Sequence, residues 1–178
     1  MLVMYRINAG FIPADHWVHD PVEGGGRIIG EVCHFIDTIQ FLTKGEPTQV
    51  FAQSLSLSGK RTQSDNVAIT IRLSNGSLGT IVYLANGDAA VAKERIEITA
   101  GGKTAIIDNF KTLETYAGGA RKVQESMTID KGHKTEVEEF IKSIHLAVDL
   151  IPFQSLVATT RATFKIIESL ETGLPVTL

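Results

Sequence analysis

The spacing of apolar residues changes character along this chain. Leu2-Val3-Met4-Tyr5-Arg6-Ile7-Asn8 has strand composition, and it starts so abruptly that the beginning reads as cut. Residues 11–26 are rich in Pro, Asp, His and Gly, with Pro13 and Pro21 as breakers, and read as a long loop. A helix is predicted over 26–44, stopped by Gly45 and Pro47. At about 100° per residue, Val32, Phe35, Ile36, Ile39 and Leu42 gather on one side of it. Gly30, Glu31, His34, Asp37 and Thr38 gather on the other.

From 49 to 127 the period becomes two. Strands are predicted at 50–58, 67–73, 78–84, 95–99, 104–107, 112–116 and 122–129. Ser74-Asn75-Gly76-Ser77 and Ala100-Gly101-Gly102-Lys103 are hairpin turns, so consecutive strands pair antiparallel. The helical period then returns twice. Residues 135–148 carry the stripe Val137, Phe140, Ile141, Ile144 and Val148. Residues 153–172, entered at Pro152 and stopped by Gly173 and Pro175, place Leu156, Val157, Phe164, Ile167 and Leu170 inward. Helices at the ends and strands in the middle predict an α+β layering rather than a doubly wound sheet.

Composition narrows the function classes. With 178 residues, 43% hydrophobic and 21% charged, the chain can bury one sizeable core, so one domain spanning 1–178 is expected. A net charge of -3 with scattered lysines and arginines leaves no basic stripe, which argues against a nucleic-acid partner. No apolar run is long enough to span a membrane, and residues 1–6 do not form a signal peptide. Cys33, the single cysteine, excludes an internal disulfide and fits a reducing compartment; cytoplasm is the working expectation.

Chemistry concentrates around 16–37. His34 lies between Glu31 and Asp37, and imidazole beside a carboxylate is either a general acid/base or a helix-surface histidine bonded to Asp37. The triplet Gly24-Gly25-Gly26 before a helix either cradles an anion or allows a tight backbone approach. Trp17 could stack on a sugar ring or cap the core edge. Arg6 and Asn8 are candidate hydroxyl or carboxylate contacts, with strand-face solvation as the alternative. His16, His19 and Cys33 form no closed ligand set of standard spacing, so no metal site is expected.

Gly24-Gly25-Gly26 followed by His34 and Asp37 resembles the G-G-G-x-x-x-D-x-G-x-H-x-x-D helix of the glucose-fructose oxidoreductase / inositol dehydrogenase (Gfo/Idh/MocA) family. The opening Tyr5-Arg6-Ile7-Asn8-Ala9-Gly10, the loop Asp15-His16-Trp17-Val18-His19-Asp20-Pro21 and the tail Ser169-Leu170-Glu171-Thr172-Gly173-Leu174-Pro175-Val176 are similar to the branch found in bi-domain oxidoreductases. Two positions depart from the pattern. Gly30 stands where the family has aspartate, with Glu31 beside it, and Val32 stands where it has glycine.

The resemblance implies a large, open, mostly antiparallel sheet with helices on one face, preceded in the family by a Rossmann domain. This chain has neither the strand-G-x-G-x-x-G-helix of that domain nor its Glu-Lys-Pro. What is implied is the substrate and oligomerisation half of a longer protein. NAD(P) would be bound mainly by the other domain, with no cofactor for this chain alone. His34 takes the acid/base position, with Glu31 as the stand-in carboxylate and Arg6, Asn8, Trp17 and Arg27 on the substrate side. The implied substrate is a sugar, cyclitol or nucleotide-sugar hydroxyl, and the sheet is implied to join copies into a homo-oligomer. The loss of the aspartate at Gly30 keeps open a second reading, a non-catalytic ligand-binding or assembly module.

Overall fold

The computed structural model describes residues 1–55 and 65–178. In chain order its strands are β1 (Leu2–Asn8), β2 (Pro47–Ser54), β3 (Val67–Leu73), β4 (Leu78–Leu84), β5 (Glu94–Ala100), β6 (Lys103–Asp108), β7 (Thr112–Ala117), β8 (Ala120–Glu125) and β9 (Val176–Thr177). The helices are α1 (Cys33–Thr43), α2 (His133–Leu146) and α3 (Phe153–Thr172), and a π-helical turn, Ile28–Val32, leads into α1. The strands form one sheet in the order β8-β7-β6-β5-β1-β4-β3-β2-β9. Only the central pair β1/β4 is parallel; the other neighbours are antiparallel. This is the α+β class with a large, open, mostly antiparallel sheet.

Alternation decides which sheet face is covered. Val3, Tyr5 and Ile7 of β1, Ile69 and Ile71 of β3, and Ile81 and Tyr83 of β4 are buried beneath Phe35, Ile36 and Ile39 of α1 and Ile166 and Leu170 of α3. The helix comes close because β4 has a glycine where it passes. A Cβ on Gly79 would stand 2.9 Å from the Ile39 side chain.

Several predicted boundaries shift. The helix expected over 26–44 divides into the π turn and α1, which ends on Lys44 in the left-handed conformation with its N–H on the Gln40 carbonyl. Gly45 answers a close approach instead, since a Cβ there would meet the Asn75 side chain at 2.7 Å. The strand predicted at 50–58 ends at Ser54, and 56–58 lie outside the described residues. The strand predicted at 122–129 ends at Glu125, where the Ser126 N–H turns onto the Lys111 carbonyl.

The larger differences are in the last two helices. α2 has no buried residue: Val137, Phe140, Ile141 and Ile144 are all exposed. In α3, Leu156, Val157 and Phe164 face solvent as well, although Leu170 is buried and Ile167 half-buried as predicted. The inward side of α3 is made of Thr159, Ala162, Thr163, Ile166, Ser169 and Leu170. Small and hydroxyl-bearing residues allow close packing there because their polar atoms have partners. Gln40 donates to Thr159 at 2.5 Å, and Ser169 accepts from the Ala52 N–H at 3.0 Å and donates to the Leu174 carbonyl at 2.7 Å. A stripe read from large apolar residues alone points the wrong way here.

Candidate active site

The entrance to α1 is built from the loop that precedes it. The Asp20 carboxylate accepts the N–H groups of Val22 at 2.7 Å and Glu23 at 2.9 Å, bonds that hold its carboxyl below the ordinary carboxylate range. Its carbonyl accepts from Gly24 and Gly25. The glycine triplet is required by space. A Cβ on Gly24 would stand 2.4 Å from the Val18 carbonyl oxygen, and Gly25 and Gly26 have φ of +66° and +85°. The Gly26 N–H closes the loop on the same Val18 carbonyl, which makes tight backbone approach the structural reason for the triplet.

Five residues of π-helix follow. The wider turn changes the angular spacing of Ile28–Val32 relative to α1, and such turns are frequent at functional sites. Ile28 and Val32 stay buried, while Gly30 faces open space with nothing within 4 Å of a Cβ added there. One turn later His34 is exposed on the polar side of α1. Its backbone carbonyl accepts the Thr38 hydroxyl at 2.8 Å. Asp37, half-buried on the same side, is pushed up by burial, against the opposing pull of His34.

Beneath this surface Arg27 is almost fully buried. Its Nε donates to Glu31 at 3.1 Å and one terminal nitrogen to the Gly10 carbonyl at 2.7 Å. The guanidinium lies 5.1 Å from the centre of the Tyr83 ring and 3.9 Å from Asp65, which also faces His19 at 3.7 Å. Burial pushes the Asp65 carboxyl upward, partly offset by His19 and Arg27. Burial and the Glu31 carboxylate likewise push the Tyr83 phenol well above its ordinary range. The Tyr83 hydroxyl makes no hydrogen bond of normal geometry to Glu31 or to any other described residue. Arg27 thus ties the π turn to the end of β1, and Tyr83 and Asp65 complete a cluster that sequence spacing does not reveal.

The remaining candidates are dispersed. Trp17 is exposed on a short 3-10 turn with its ring 5.7 Å from that of His16. Asn8, at the end of β1, donates to the Asp88 and Val91 carbonyls and so holds the 88–91 loop. Arg6 lies on the sheet face opposite Tyr5 and Ile7, where it donates to the Ala92 carbonyl at 2.7 Å. The structure brings His34, Glu31 and Arg27 together on one helical stretch and puts Arg6 on the other side of the sheet. Among the described residues no cluster of metal-ligand side chains occurs, and no helix is long and apolar enough to cross a membrane.

A fold of this kind, with a histidine beside a side-chain-free position at the mouth of α1, is matched over residues 3–108 by the model of the GFO/IDH/MocA C-terminal domain. The chain belongs to the GFO/IDH/MocA family. Among curated proteins none matches its sequence. Solved structures of the same fold include an aldose-aldose oxidoreductase from Caulobacter crescentus, 16% identical with TM-score 0.79, covering 99% of this chain and 55% of that one. Another is a UDP-N-acetylglucosamine 3-dehydrogenase from Acidithiobacillus ferrooxidans, 19% identical with TM-score 0.75, covering 96% and 54%. A third is an oxidoreductase from Agrobacterium radiobacter in complex with NAD+, L-tartaric acid and magnesium, 13% identical with TM-score 0.74, covering 99% and 56%. The chain therefore spans about half the length of these relatives.

Proposed function

We propose that residues 1–178 are the substrate-side and oligomerisation domain of a cytoplasmic NAD(P)-dependent oxidoreductase acting on a sugar, cyclitol or nucleotide-sugar hydroxyl. The observation that carries this reading is His34, exposed on α1 one turn after Gly30, whose missing side chain leaves room for a substrate. An imidazole titrates near neutrality and can take the hydroxyl proton as the alcohol is oxidised, or return it in the reverse direction. Asp37 lies on the same side of α1, its carboxyl pushed up by burial against the pull of His34. Glu31 contributes a second carboxylate one turn before His34, and Arg27 holds it in place. Trp17, Asn8 and Arg27 remain the substrate-side candidates, Arg27 acting through Glu31 and the end of β1, whereas Arg6 lies on the opposite face of the sheet from His34.

The residues of this chain do not fit a dinucleotide site of their own. β1 does not turn directly into a crossover helix leading to its parallel partner: residues 9–23 intervene before the Gly24-Gly25-Gly26 turn and α1, and α1 leads to β2 rather than to β4. NAD(P) binding is assigned to a preceding Rossmann domain, and the isolated chain is inactive on this reading. Copies associate through the sheet face opposite the helices. Leu2, Met4 and Leu78 lie exposed there on the adjacent strands β1 and β4, an apolar strip that suits a second sheet.

The test is His34→Ala in the longer native polypeptide. Turnover falls by about 10²–10⁴-fold, while NAD(P) affinity stays within about twofold because His34 handles only the proton. Unchanged turnover removes His34 from the mechanism.

A further inference from the structure

Glu94 on β5, Ile7 on β1 and Tyr83 on β4 stand in one row across three adjacent strands. Residues paired directly across strands share a face, so Glu94 lies on the helix-covered face, in the row that Arg27 covers at Tyr83. Its carboxylate is buried, accepts the Tyr5 hydroxyl and is paired with Lys131. Lys131 reaches it from the far edge of the sheet. The chain leaves β8 at Glu125, fastens the Ser126 N–H to the Lys111 carbonyl, and returns past the ends of β7 and β6 to β5. On the way the Lys131 ammonium comes to 5.4 Å from the centre of the Phe110 ring. Phe110 has φ of +52°, and the neighbouring Asn109 N–H donates to the Glu94 carbonyl at 2.7 Å.

Neither feature is the cheapest way to hold a sheet together. A buried carboxylate paired with an ammonium costs so much desolvation that well-packed apolar side chains of similar volume hold a fold at least as well. A bulky residue with positive φ persists only where its surroundings impose it, and such residues cluster at functional sites. Both features sit at the end of the sheet where α1 begins, and the ring contacts there lead to His34. The Tyr5 ring meets the Phe35 ring edge to face, with centroids 5.0 Å apart and planes at 71°. Phe35 also faces the Tyr83 ring at 6.1 Å. The turn of α1 that carries His34 therefore rests on two phenol rings. Arg27 covers that of Tyr83, and Glu94 with Lys131 fixes that of Tyr5 through its hydroxyl. A close-packed interior passes a shift of Tyr5 on to Phe35, and so to the adjoining imidazole.

We propose that Lys131 is a positioning residue for His34: by holding Glu94 on the Tyr5 hydroxyl it fixes the ring on which Phe35, and with it the first turn of α1, is seated. This rests on the oxidoreductase reading above and adds to it a residue that acts through Glu94 and Tyr5 rather than on the substrate.

The experiment measures kcat and KM of the longer native polypeptide with D-glucose, myo-inositol and UDP-N-acetylglucosamine as hydroxyl probes and NAD+ or NADP+ as oxidant, per folded molecule as judged by thermal melts. Lys131→Met lowers kcat by about 10–100-fold, the scale of a misplaced reacting group, and leaves KM for the dinucleotide within about twofold. In Glu94→Gln no buried charge is left for the lysine to balance, so adding Lys131→Met there changes kcat by less than about twofold, the non-additivity of residues acting in one chain. Tyr5→Phe keeps both the ring and the ion pair and cuts only the link between them. It lowers kcat in the same direction, and it carries the test if Lys131→Met does not fold. Unchanged kcat in folded Lys131→Met or in Tyr5→Phe, in a polypeptide whose turnover depends on His34, overturns the positioning role alone. A full further loss from Lys131→Met in the Glu94→Gln background overturns it in favour of direct contact between Lys131 and the substrate. Turnover that survives His34→Ala, or oxidation of none of the three probes, overturns the oxidoreductase reading and the positioning role with it.

Discussion

The two halves of the sheet are held in different ways. β1 to β4 lie under α1 and α3, and nearly the whole buried core belongs to them: Val3, Tyr5, Ile7, Ile69, Ile71, Ile81 and Tyr83 are each at most 2% exposed. β5 to β8 contribute Ile96 to that core, Ile98 and Ile107 only pack at its margin, and every residue of β8 is exposed. Both halves are continuously hydrogen-bonded, β5 to β8 by antiparallel ladders and β1 to β4 by two antiparallel ladders, one with a register irregularity between Pro47 and Gln49, and one parallel ladder. Strand pairing by itself therefore does not distinguish a buried sheet from a bare one. The difference lies in whether a helix stands on it, and α2, the helix that follows the bare half, remains off the sheet with its own apolar side uncovered.

The sharpest way to break this contrast is to remove a core side chain from the packed half. Ile36→Ala in α1, where Ile36 is fully buried, should lower unfolding free energy by about 2–5 kcal/mol in urea titration. A loss below about 1 kcal/mol would mean that α1 does not hold the sheet as described. Next comes Arg27→Met. It strips a buried guanidinium from Glu31 and from the Ala9 and Gly10 carbonyls. The cost should be about 2–3 kcal/mol, under the range for fully buried pairs because Glu31 stays partly in water. Thermal melts of Arg27→Met beside Arg27→Lys would separate the packing of the stem from the forked hydrogen bonding.

A smaller effect should appear at alkaline pH. Burial first, then the neighbouring Glu94 and Glu31, push the phenols of Tyr5 and Tyr83 well above their ordinary range. The folded chain thus keeps two protons that the unfolded chain gives up near pH 10, so stability should be flat below that range and fall as the pH rises through it. Tyr83→Phe should flatten the fall in pH-dependent unfolding curves; an unchanged slope would remove Tyr83 from it. The smallest change belongs to the bare half. Ile144→Ala in this chain should alter stability by no more than about 0.5 kcal/mol, since its side chain touches no core. In the longer polypeptide the same substitution should cost distinctly more if α2 is covered there, a difference that differential scanning calorimetry would read.

The reach of local pattern can be judged from particular elements. β3 was delimited to the residue by Val67, Ile69, Ile71 and Leu73 alternating with exposed positions, because the strand has a core on one side and water on the other. The turn at Gly101-Gly102 was equally plain, both residues having positive φ. The segment carrying His34 was found from its glycines and its two-sided helix. Its π turn was not, because such a turn costs little in local sequence and is set by what Ile28 and Val32 must reach below. Tyr83, Asp65, Glu94 and Lys131 escaped notice because they meet partners far away in the chain, and no spacing rule links Lys131 to Glu94 or Glu94 to Tyr5.

Strand alternation, turn chemistry and the existence of three helices were determined by the sequence alone, since each depends on residues within a few positions of one another. The side of α3 that faces inward, the isolation of α2, the placement of Arg6 across the sheet from His34 and the burial of Arg27 were decided only by the tertiary structure. Burial depends on what stands opposite. An apolar stripe shows that a helix has something to cover, but the covering surface can lie elsewhere in the chain or on another domain.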